Sequence, residues 1–210
     1  MAKIVHQTWY GLPCIIRHDY EDATVSEKIK SYQAKSVKEF LHFFFFFPGM
    51  KYDSVLDVGA GDDYCISQLS EKFTKAVGID LYVDEGEYNG VVKADWYTMA
   101  SKTFMGRTFD GVFINHSLEH AENVYALMQQ VAALQHKGGA LFVAVPDGNT
   151  DFGCSLTSST THFSCITEKF LLNTLQRFGY HVGIETREFR PGAKEIWAFG
   201  IKSTNGHSLL

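Results

Sequence analysis

Residues 55–62 have the sequence Val-Leu-Asp-Val-Gly-Ala-Gly-Asp, which is the strongest indication of fold in this chain. A short apolar run from Ser54 to Val58 ends in two glycines, and Ile66, Leu69 and Phe73 follow at helical spacing. This order predicts a buried strand, a glycine turn and a helix. The glycines let the backbone bend sharply and let a ligand approach the main chain, while the helix offers free N–H groups. An isolated glycine motif has low specificity, so the rest of the chain must support it.

The chain beyond this stretch continues to alternate short apolar runs with helices. Further strands are predicted at Ala76–Ile79, Gly90–Lys93, Phe109–Ile114 and Leu141–Val145; the first is closed by Asp80, the second by Asp95, and the third by Asn115 and His116. A helix with Val124, Leu127, Met128, Val131 and Leu134 on one face precedes the last strand, and we expect it to end at Gly138-Gly139. Buried strands alternating with helices indicate a parallel sheet covered on both faces.

The end of the chain departs from this pattern. A helix containing Phe170 and Phe178 stops at Gly179, and two strand-like segments, Tyr180–Thr186 and Glu195–Ile201, are joined through Pro191-Gly192. Such a short connection makes neighbouring strands antiparallel. The predicted fold class is therefore α/β: a Rossmann-like, doubly wound, mostly parallel seven-stranded sheet with a C-terminal antiparallel hairpin.

The first fifty residues are predicted to contain one helix, from about Asp22 to Phe46, ended by Pro48-Gly49. We expect residues 1–50 to be an N-terminal helical extension or cap, and residues 51–210 to be the main domain of one compact unit. The five phenylalanines Phe43–Phe47 point all round a helix. We expect most of them to pack inside the chain, and a homodimer contact is the next interpretation.

Composition and charge narrow the possible partners. The chain has 210 residues, 45% of them hydrophobic and 20% charged, which suits one folded domain. The net charge of -5 disfavours binding to phosphate backbones, so we expect a small-molecule acceptor and no nucleic acid. The longest apolar run, Ala140–Val145, has six residues where a membrane span needs roughly 20, so no membrane span is expected.

The cysteines predict the compartment. The sequence has no C-x-x-C pair, and residues 1–10 do not read as a hydrophobic leader. We therefore interpret all four cysteines as reduced thiols in a cytoplasmic protein. They are Cys14, Cys65, Cys154 and Cys165.

Asp80 supports the ligand-binding interpretation of the glycine turn. It lies 23 residues beyond Asp57, at the end of the next predicted strand. A carboxylate in that position can accept hydrogen bonds from both hydroxyls of a ribose in the crevice above the sheet.

With these residues in place, the chain resembles the class I S-adenosylmethionine-dependent methyltransferases, particularly the small soluble ones that act on small molecules. The resemblance covers Val55 to Ile201, and its motifs keep the family's order and spacing. They are Leu56–Gly61, Val77–Asp80, Ala94–Trp96, Phe109–Phe113, Ser117–His120, Leu134–Leu141, His162-Phe163 and Phe178–Tyr180.

The resemblance implies a role for each matching residue. The turn Gly59-Ala60-Gly61 would lie against the methionine part of S-adenosylmethionine, with Asp57 supporting the turn or meeting the amino group. Asp80 would hold the ribose, and Leu81 would pack on the adenine. Asp95 would receive the adenine amino group, and Trp96 beside it would supply a backbone donor. Asn115 and His116 would lie beside the transferable methyl. Two bland interpretations stay open: Asp95 as an ordinary turn residue and Trp96 as a core aromatic.

The chain departs from the family pattern at two places. Asp63 stands where a third glycine is common, and we interpret it as a helix cap. His136-Lys137 replaces the usual proline before the paired glycines, in a loop that we expect to lie far from the chemistry. Neither change removes Asp80 or the first two glycines.

Catalysis of methyl transfer depends mainly on holding donor and acceptor in register, and the cofactor brings the activated methyl. A base is needed only if the acceptor must lose a proton. Our candidates for that base are His116 and His162, because imidazole titrates near neutral pH. No resident metal is expected, and S-adenosylhomocysteine would be the product.

Three other functions fit parts of the same sequence. A nicotinamide-dependent oxidoreductase also suits a glycine turn plus an acid, but the sixth-position glycine is missing. A non-catalytic methyltransferase-like binding subunit would keep the fold without the reaction. A zinc hydrolase is suggested by His116-x-x-Glu119-His120, but His116 follows a strand, so the two histidines need not share a helix. Exocyclic DNA amines are disfavoured as acceptors because Asn115–Leu118 lacks the expected Pro-Pro-aromatic sequence.

Overall fold

The computed structural model describes residues 6–9, 12–15, 23–45, 53–84, 86–150, 162–190 and 193–204. The strands of the described part are β1 His6–Trp9, β2 Leu12–Ile15, β3 Ser54–Val58, β4 Lys75–Asp80, β5 Val91–Lys93, β6 Phe109–Asn115, β7 Gln135–Pro146, β8 Tyr180–Arg190 and β9 Ala193–Lys202. The helices are α1 Ala23–Phe45, α2 Tyr64–Leu69, α3 Met99–Lys102, α4 Val124–Ala133 and α5 Glu168–Arg177, with a 3-10 turn at Leu118–His120.

A seven-stranded sheet forms the centre of the molecule, with the strand order β5-β4-β3-β6-β7-β9-β8. The pairs from β5 to β7 are parallel, and β9 pairs antiparallel with both β7 and β8. The predicted fold class is therefore confirmed, including the C-terminal hairpin. Its turn, Pro191-Gly192, lies outside the described residues. We call the side where β3, β4, β6 and β7 end the carboxyl edge, because open parallel sheets bind ligands there.

Helix α1 packs tightly beneath the centre of the sheet. Phe40 and Phe44 are fully buried, and a side chain on Gly111 of β6 would lie 3.0 Å from both rings. Phe43 is partly buried, with its ring centroid 5.1 Å from that of Phe199. Two phenylalanines of the predicted run thus pack inside the chain. The side chain of Phe45, and Phe46 and Phe47, fall outside the described part.

Two elements differ from the sequence prediction. Helix α4 ends at Ala133, and Gly138-Gly139 lies within β7 instead of ending the helix. Gly138 adopts φ +80°, and a side chain on Gly139 would lie 3.0 Å from the carbonyl oxygen of Asp110, so these glycines let β7 run close to β6. The hairpin of β1 and β2 was not predicted, because each strand has four residues and β2 contains a proline.

The cysteine prediction is wrong for Cys165, which is disulfide-bonded, whereas Cys65 is a free, buried thiol. Sequence distance did not exclude a bond, because folding brings distant residues together. The side chain of Cys14, and Cys154, fall outside the described residues. Among the residues that the structure describes, no helix has the length and apolarity needed to cross a membrane.

Candidate functional site

The glycine turn between β3 and α2 is held against β4. The amides of Gly59 and Ala60 both donate to the carbonyl oxygen of Ile79, at 2.8 and 3.0 Å. Gly59 has φ +78°, and a side chain there would lie 2.3 Å from Cβ of Ser117. Gly61 has φ +64°, but a side chain there would meet no described atom within 4 Å. One glycine therefore permits close packing, and the other borders open space at the carboxyl edge.

Asp80 joins this turn to the segment after β4. Its Oδ2 accepts a hydrogen bond from the Gly61 amide at 3.0 Å, and its Oδ1 accepts one from the Tyr82 amide at 2.9 Å. The carboxylate is partly exposed. Because a carboxylate oxygen can accept more than one hydrogen bond, both oxygens keep capacity for a hydroxyl ligand.

Asp57, the acid inside β3, is only 2% exposed. Its Oδ2 has no hydrogen-bond partner among the described residues. Burial, together with the negative charges of Asp80 and Asp62, raises the pKa of Asp57 to about 8. A buried carboxyl group of this kind is stabilised in its charged form by a nearby cation, so the turn favours a ligand that carries positive charge.

The remaining predicted cofactor residues lie around the same edge. Asp95 is exposed and holds its own turn: Oδ1 accepts from the Tyr97 amide at 2.9 Å and Oδ2 from the Thr98 hydroxyl at 3.3 Å. Trp96 belongs to the main core, and Nε1 is buried without a hydrogen-bond partner in the described part. Both bland interpretations of these two residues therefore have structural support.

Ala60, Leu81 and Asn115 complete the predicted set. Ala60 is buried within the turn, and Leu81, partly buried, directly follows Asp80. Asn115 ends β6, and its buried Oδ1 accepts no hydrogen bond from any described residue. The fold thus brings all of these residues to the carboxyl ends of β3, β4, β5 and β6.

The interpretation of Asp63 as a helix cap is right about its position but wrong about its hydrogen bonding. Asp63 occupies the N-cap position of α2, but its side chain makes no capping hydrogen bond. Its backbone, at φ -88° and ψ 6°, is not in the extended conformation that a capping side chain usually requires. Asp62 instead accepts a hydrogen bond from the Tyr64 amide at 3.0 Å.

On the acceptor side, His116 directly follows β6 and adopts the left-handed conformation, with φ +52°. Its Nε2 lies 2.8 Å from Oε1 of Glu195, and its Nδ1 lies 3.4 Å from Oε1 of Glu119. Both ring nitrogens therefore face buried carboxylates. Burial raises the pKa of Glu195 to about 7, although a hydrogen bond from Nε1 of Trp197 to Oε2 at 2.9 Å acts in the opposite direction.

Glu119 lies at the centre of three histidines. It is 1% exposed, and Oε1 is 4.0 Å from Nε2 of His120. The ring centroids of His120 and His162 are 5.0 Å apart. Burial alone would raise the pKa of Glu119, but His116 and His120 lower it by more, so the net pKa shift is downward. His116 is not on a helix with His120, so the linear zinc-protease geometry is not formed.

Glu195 and the contact made by Ser117 were not predicted from the sequence, although Ser117 begins the family motif Ser117–His120. Ser117 donates from Oγ to the carbonyl oxygen of Val58 at 2.5 Å, which binds the end of β6 to the glycine turn. The sequence around Ser117 does not indicate this hydrogen bond, because its acceptor, Val58, is 59 residues away. Glu195 could have been found from the sequence, because it is a charged residue within an apolar strand. Such a residue is rarely fully buried unless it is paired, so its position indicates a partner.

The replacement at His136-Lys137 lies within β7 and not in the predicted loop, at the opposite edge of the sheet. Nε2 of His136 is 2.7 Å from Oδ1 of Asp110, and Oδ2 of Asp110 accepts from the amide and hydroxyl of Ser54 at 2.8 and 2.9 Å. Asp110 and Ser54 stand at the beginnings of β6 and β3, so this cluster joins the strand starts. His136 and Lys137 therefore lie far from the carboxyl edge, as expected.

Comparison with known families identifies the class of protein. Residues 29–183 match a family model described as a methyltransferase domain. That match covers most of the chain, and the chain belongs to this family. It is an S-adenosylmethionine-dependent methyltransferase, which decides against the oxidoreductase and the zinc hydrolase.

Solved structures share the fold at low sequence identity. An S-adenosylmethionine-dependent methyltransferase from Archaeoglobus fulgidus has a TM-score of 0.64 at 18% identity, covering 86% of this chain and 100% of that one. The magnesium protoporphyrin IX methyltransferase of Synechocystis PCC 6803 with bound S-adenosylhomocysteine has a TM-score of 0.63 at 15% identity, covering 89% and 90%. The YcgJ protein of Bacillus subtilis reaches 0.65 at 13%, covering 82% and 100%. No curated protein matches the chain in sequence.

Proposed function

We propose that this protein transfers a methyl group from S-adenosylmethionine to a small-molecule acceptor at the carboxyl edge. The observation that carries the proposal is the buried Asp57 carboxyl group, whose Oδ2 has no hydrogen-bond partner in the described part. It belongs to β3, which ends at Val58, directly before the glycine turn and the open space at Gly61. A cationic amino-acid tail and a sugar are the ligand groups that Asp57 and Asp80 suit.

In this proposal the chain's residues bind and orient the cofactor, which when bound supplies a methyl group activated on sulfur. Asp57 balances the charge of the amino-acid tail, and the carboxylate of Asp80 accepts hydrogen bonds from the ribose. The turn keeps its amides aligned through their hydrogen bonds to Ile79. The full proposed set is Asp57, Gly59, Ala60, Gly61, Asp80, Leu81, Asp95, Trp96 and Asn115.

His116 and His162 are the proposed residues on the acceptor side. Because both nitrogens of His116 face carboxylates, His116 suits the positioning of Glu119 and Glu195 better than proton abstraction. His162 lies beside His120 and Glu119 at the same edge. A small acceptor accords with the net charge of -5, since an acidic chain disfavours nucleic acid.

The decisive test of the cofactor site is calorimetric titration with S-adenosylhomocysteine. We expect Asp80→Asn to weaken binding by about 10-fold or more, because a hydrogen bond to a charged group contributes roughly 1.5–3 kcal/mol. The amide retains one acceptor oxygen for the turn. Asp84→Asn is the matched control, because its carboxylate lies four residues further on, in the segment after β4, and is 89% exposed.

The two variants separate specific loss from general damage. Equal affinity in the wild type and Asp80→Asn would contradict the ribose assignment. Equal weakening in Asp80→Asn and Asp84→Asn would point to loop charge alone. Methyl transfer to a panel of small acceptors then separates the enzyme from a binding subunit, which would bind the product but show no turnover.

The raised pKa of Asp57 predicts a pH effect on stability. The folded-state pKa of about 8 exceeds the ordinary aspartate pKa of 3.8, so between these values the native state holds more protons than the unfolded state. The contribution of Asp57 to the free energy of unfolding is therefore greatest at low pH and is lost as the pH rises towards 8. Urea unfolding from pH 5 to pH 8.5 should show this loss in the wild type but not in Asp57→Asn.

The same group predicts the opposite trend for ligand binding. A cationic ligand favours the ionised Asp57, so affinity for S-adenosylhomocysteine should rise from pH 6 to pH 8 with release of a proton. Calorimetry in buffers of different ionisation enthalpy measures that proton. An identical pH dependence in Asp57→Asn would show that another group is responsible.

A homodimer through Phe43–Phe47 and a cytoplasmic location also remain proposals. The free thiol of Cys65 suits a reducing compartment, whereas the disulfide at Cys165 is typical of an oxidising one. Counting thiols in the denatured protein, isolated under conditions that trap them, distinguishes the two: a cytoplasmic protein should yield four.

A further inference from the structure

A cluster of metal-ligating side chains lies beside the proposed cofactor site. Glu119, His120 and His162 each offer one ligand atom, and these atoms all lie within 4.8 Å of one another. Two imidazoles and one carboxylate are donors that transition-metal ions prefer. At bond lengths of about 2.0–2.2 Å, ligand atoms around one ion stand roughly 3–4 Å apart, so small side-chain movements would close the set.

Glu119 gives independent evidence for a cationic ligand. The residue is 1% exposed, and neither Oε1 nor Oε2 has a hydrogen-bond partner among the described residues. Nδ1 of His116 lies 3.4 Å from Oε1, which is an ion-pair distance longer than a normal hydrogen bond. A buried carboxylate without hydrogen bonds is costly unless a cation accompanies it.

The backbone fixes the three side chains near one another. Glu119 and His120 belong to one 3-10 turn, and the Ser164 amide donates to the carbonyl oxygen of Glu119 at 3.1 Å. The Ser164 hydroxyl donates to the carbonyl oxygen of Ala121 at 3.0 Å. His162 is therefore held beside the turn by main-chain contacts two residues away, which do not depend on a metal.

We propose that Glu119, His120 and His162 bind one divalent transition-metal ion, with zinc as the best fit. The donor set differs from that of the linear H-x-x-E-H pattern, which would use His116 and His120. Nε2 of His116 instead contacts Glu195 at 2.8 Å, and its Nδ1 lies 3.4 Å from Oε1 of Glu119, so His116 positions that carboxylate from outside the ligand set. Magnesium is disfavoured because it prefers oxygen ligands.

The position of this cluster deepens the proposed function, on which the following step rests. Ser117, two residues before Glu119, contacts the glycine turn, so the metal lies on the acceptor side of the cofactor site. Three protein ligands leave a coordination position for an oxygen ligand, whose proton the metal makes easier to lose. The acceptor class is therefore a small alcohol or phenol. Transfer forms the oxygen–methyl bond, breaks the methyl–sulfur bond with its electron pair staying on sulfur, and releases the hydroxyl proton to solvent.

Zinc binding by the full chain tests the site directly. After treatment with a chelator and desalting, the wild type should bind one zinc ion in competition with a chromogenic chelator. We expect His162→Ala and Glu119→Gln each to weaken binding by about 10-fold or more, since even changes behind the ligands cost 10–100-fold. His181→Ala is the control: His181 is exposed on β8 and pairs with Ile201, which pairs with Ala140 near the opposite edge.

S-adenosylhomocysteine binding, measured on the same samples, keeps the two proposals distinguishable. Lost zinc affinity with unchanged S-adenosylhomocysteine affinity in either ligand variant supports the metal site. No zinc binding by the wild type, or undiminished binding by both ligand variants, overturns it, and in that case product binding still decides the proposed function. Cobalt substitution adds a second readout, because visible bands that His162→Ala abolishes would place the ion on this imidazole.

Discussion

Replacing Gly59 by alanine should lower the free energy of unfolding by about 3 kcal/mol, through crowding and backbone strain together. The new Cβ would lie 2.3 Å from Cβ of Ser117, which cannot rotate away as the end of a long side chain could. The φ of +78° adds strain for any residue with a Cβ. The hydrogen bond from Ser117 to Val58 would also be disturbed. Urea unfolding monitored by tryptophan fluorescence measures the loss.

Gly61→Ala is the matched control two residues away. Its φ of +64° imposes a similar backbone strain, but its Cβ would meet no described atom within 4 Å. We therefore expect a loss of only about 1 kcal/mol. Equal losses in the two variants would show that backbone strain, and not the contact with Ser117, is why Gly59 must be a glycine.

The same pair of variants also tests where the ligand lies. The methyl group of Gly61→Ala would project into the space that we assign to the cofactor. In this variant the free energy of S-adenosylhomocysteine binding should therefore change by more than the free energy of unfolding. Unchanged affinity in a stably folded Gly61→Ala protein would move the ligand away from the second glycine.

The sequence predicts the strands of the central sheet well, because their signals are local. Ser54–Val58 matches β3 at both ends, and the other predicted strands overlap β4 to β9. The central strands β3 and β6 are buried on both faces, so their apolar residues are contiguous. A polar residue such as Asp80 or Asn115 marks the end of a strand. The glycine turn follows from the same local pattern.

The acceptor side could not be predicted in the same way, because its residues come from distant segments. Glu119 and His120 follow β6, His162 precedes α5, and Glu195 belongs to β9. The linear pattern around His116 and His120 suggested a metal set, but the side chain of His116 is directed to Glu195. Only the antiparallel pairing of β9 with β7 brings that carboxylate to the carboxyl edge. Strand pairing between distant segments therefore decides which histidine side chains are available to the same metal ion.

Replacing Phe44 by alanine should cost about 3–5 kcal/mol of the free energy of unfolding, because it leaves a large cavity. The ring is fully buried, with centroids 5.0 Å from Phe40 and 5.2 Å from Phe73. The effect also tests the predicted domain boundary at residue 50. If α1 is part of the methyltransferase domain, as its packing under Gly111 favours, the whole domain should unfold earlier in one transition.

Phe43→Ala is the control for this change, since Phe43 is only partly buried against Phe199 and its loss should cost distinctly less. Coincident urea transitions by fluorescence and circular dichroism would support a single cooperative unit. A separate early transition, with the main transition unchanged, would instead support a detachable N-terminal cap. Sedimentation of both variants distinguishes the dimer proposal, because a contact through the phenylalanine run should weaken when Phe43 is removed, even though the domain remains folded.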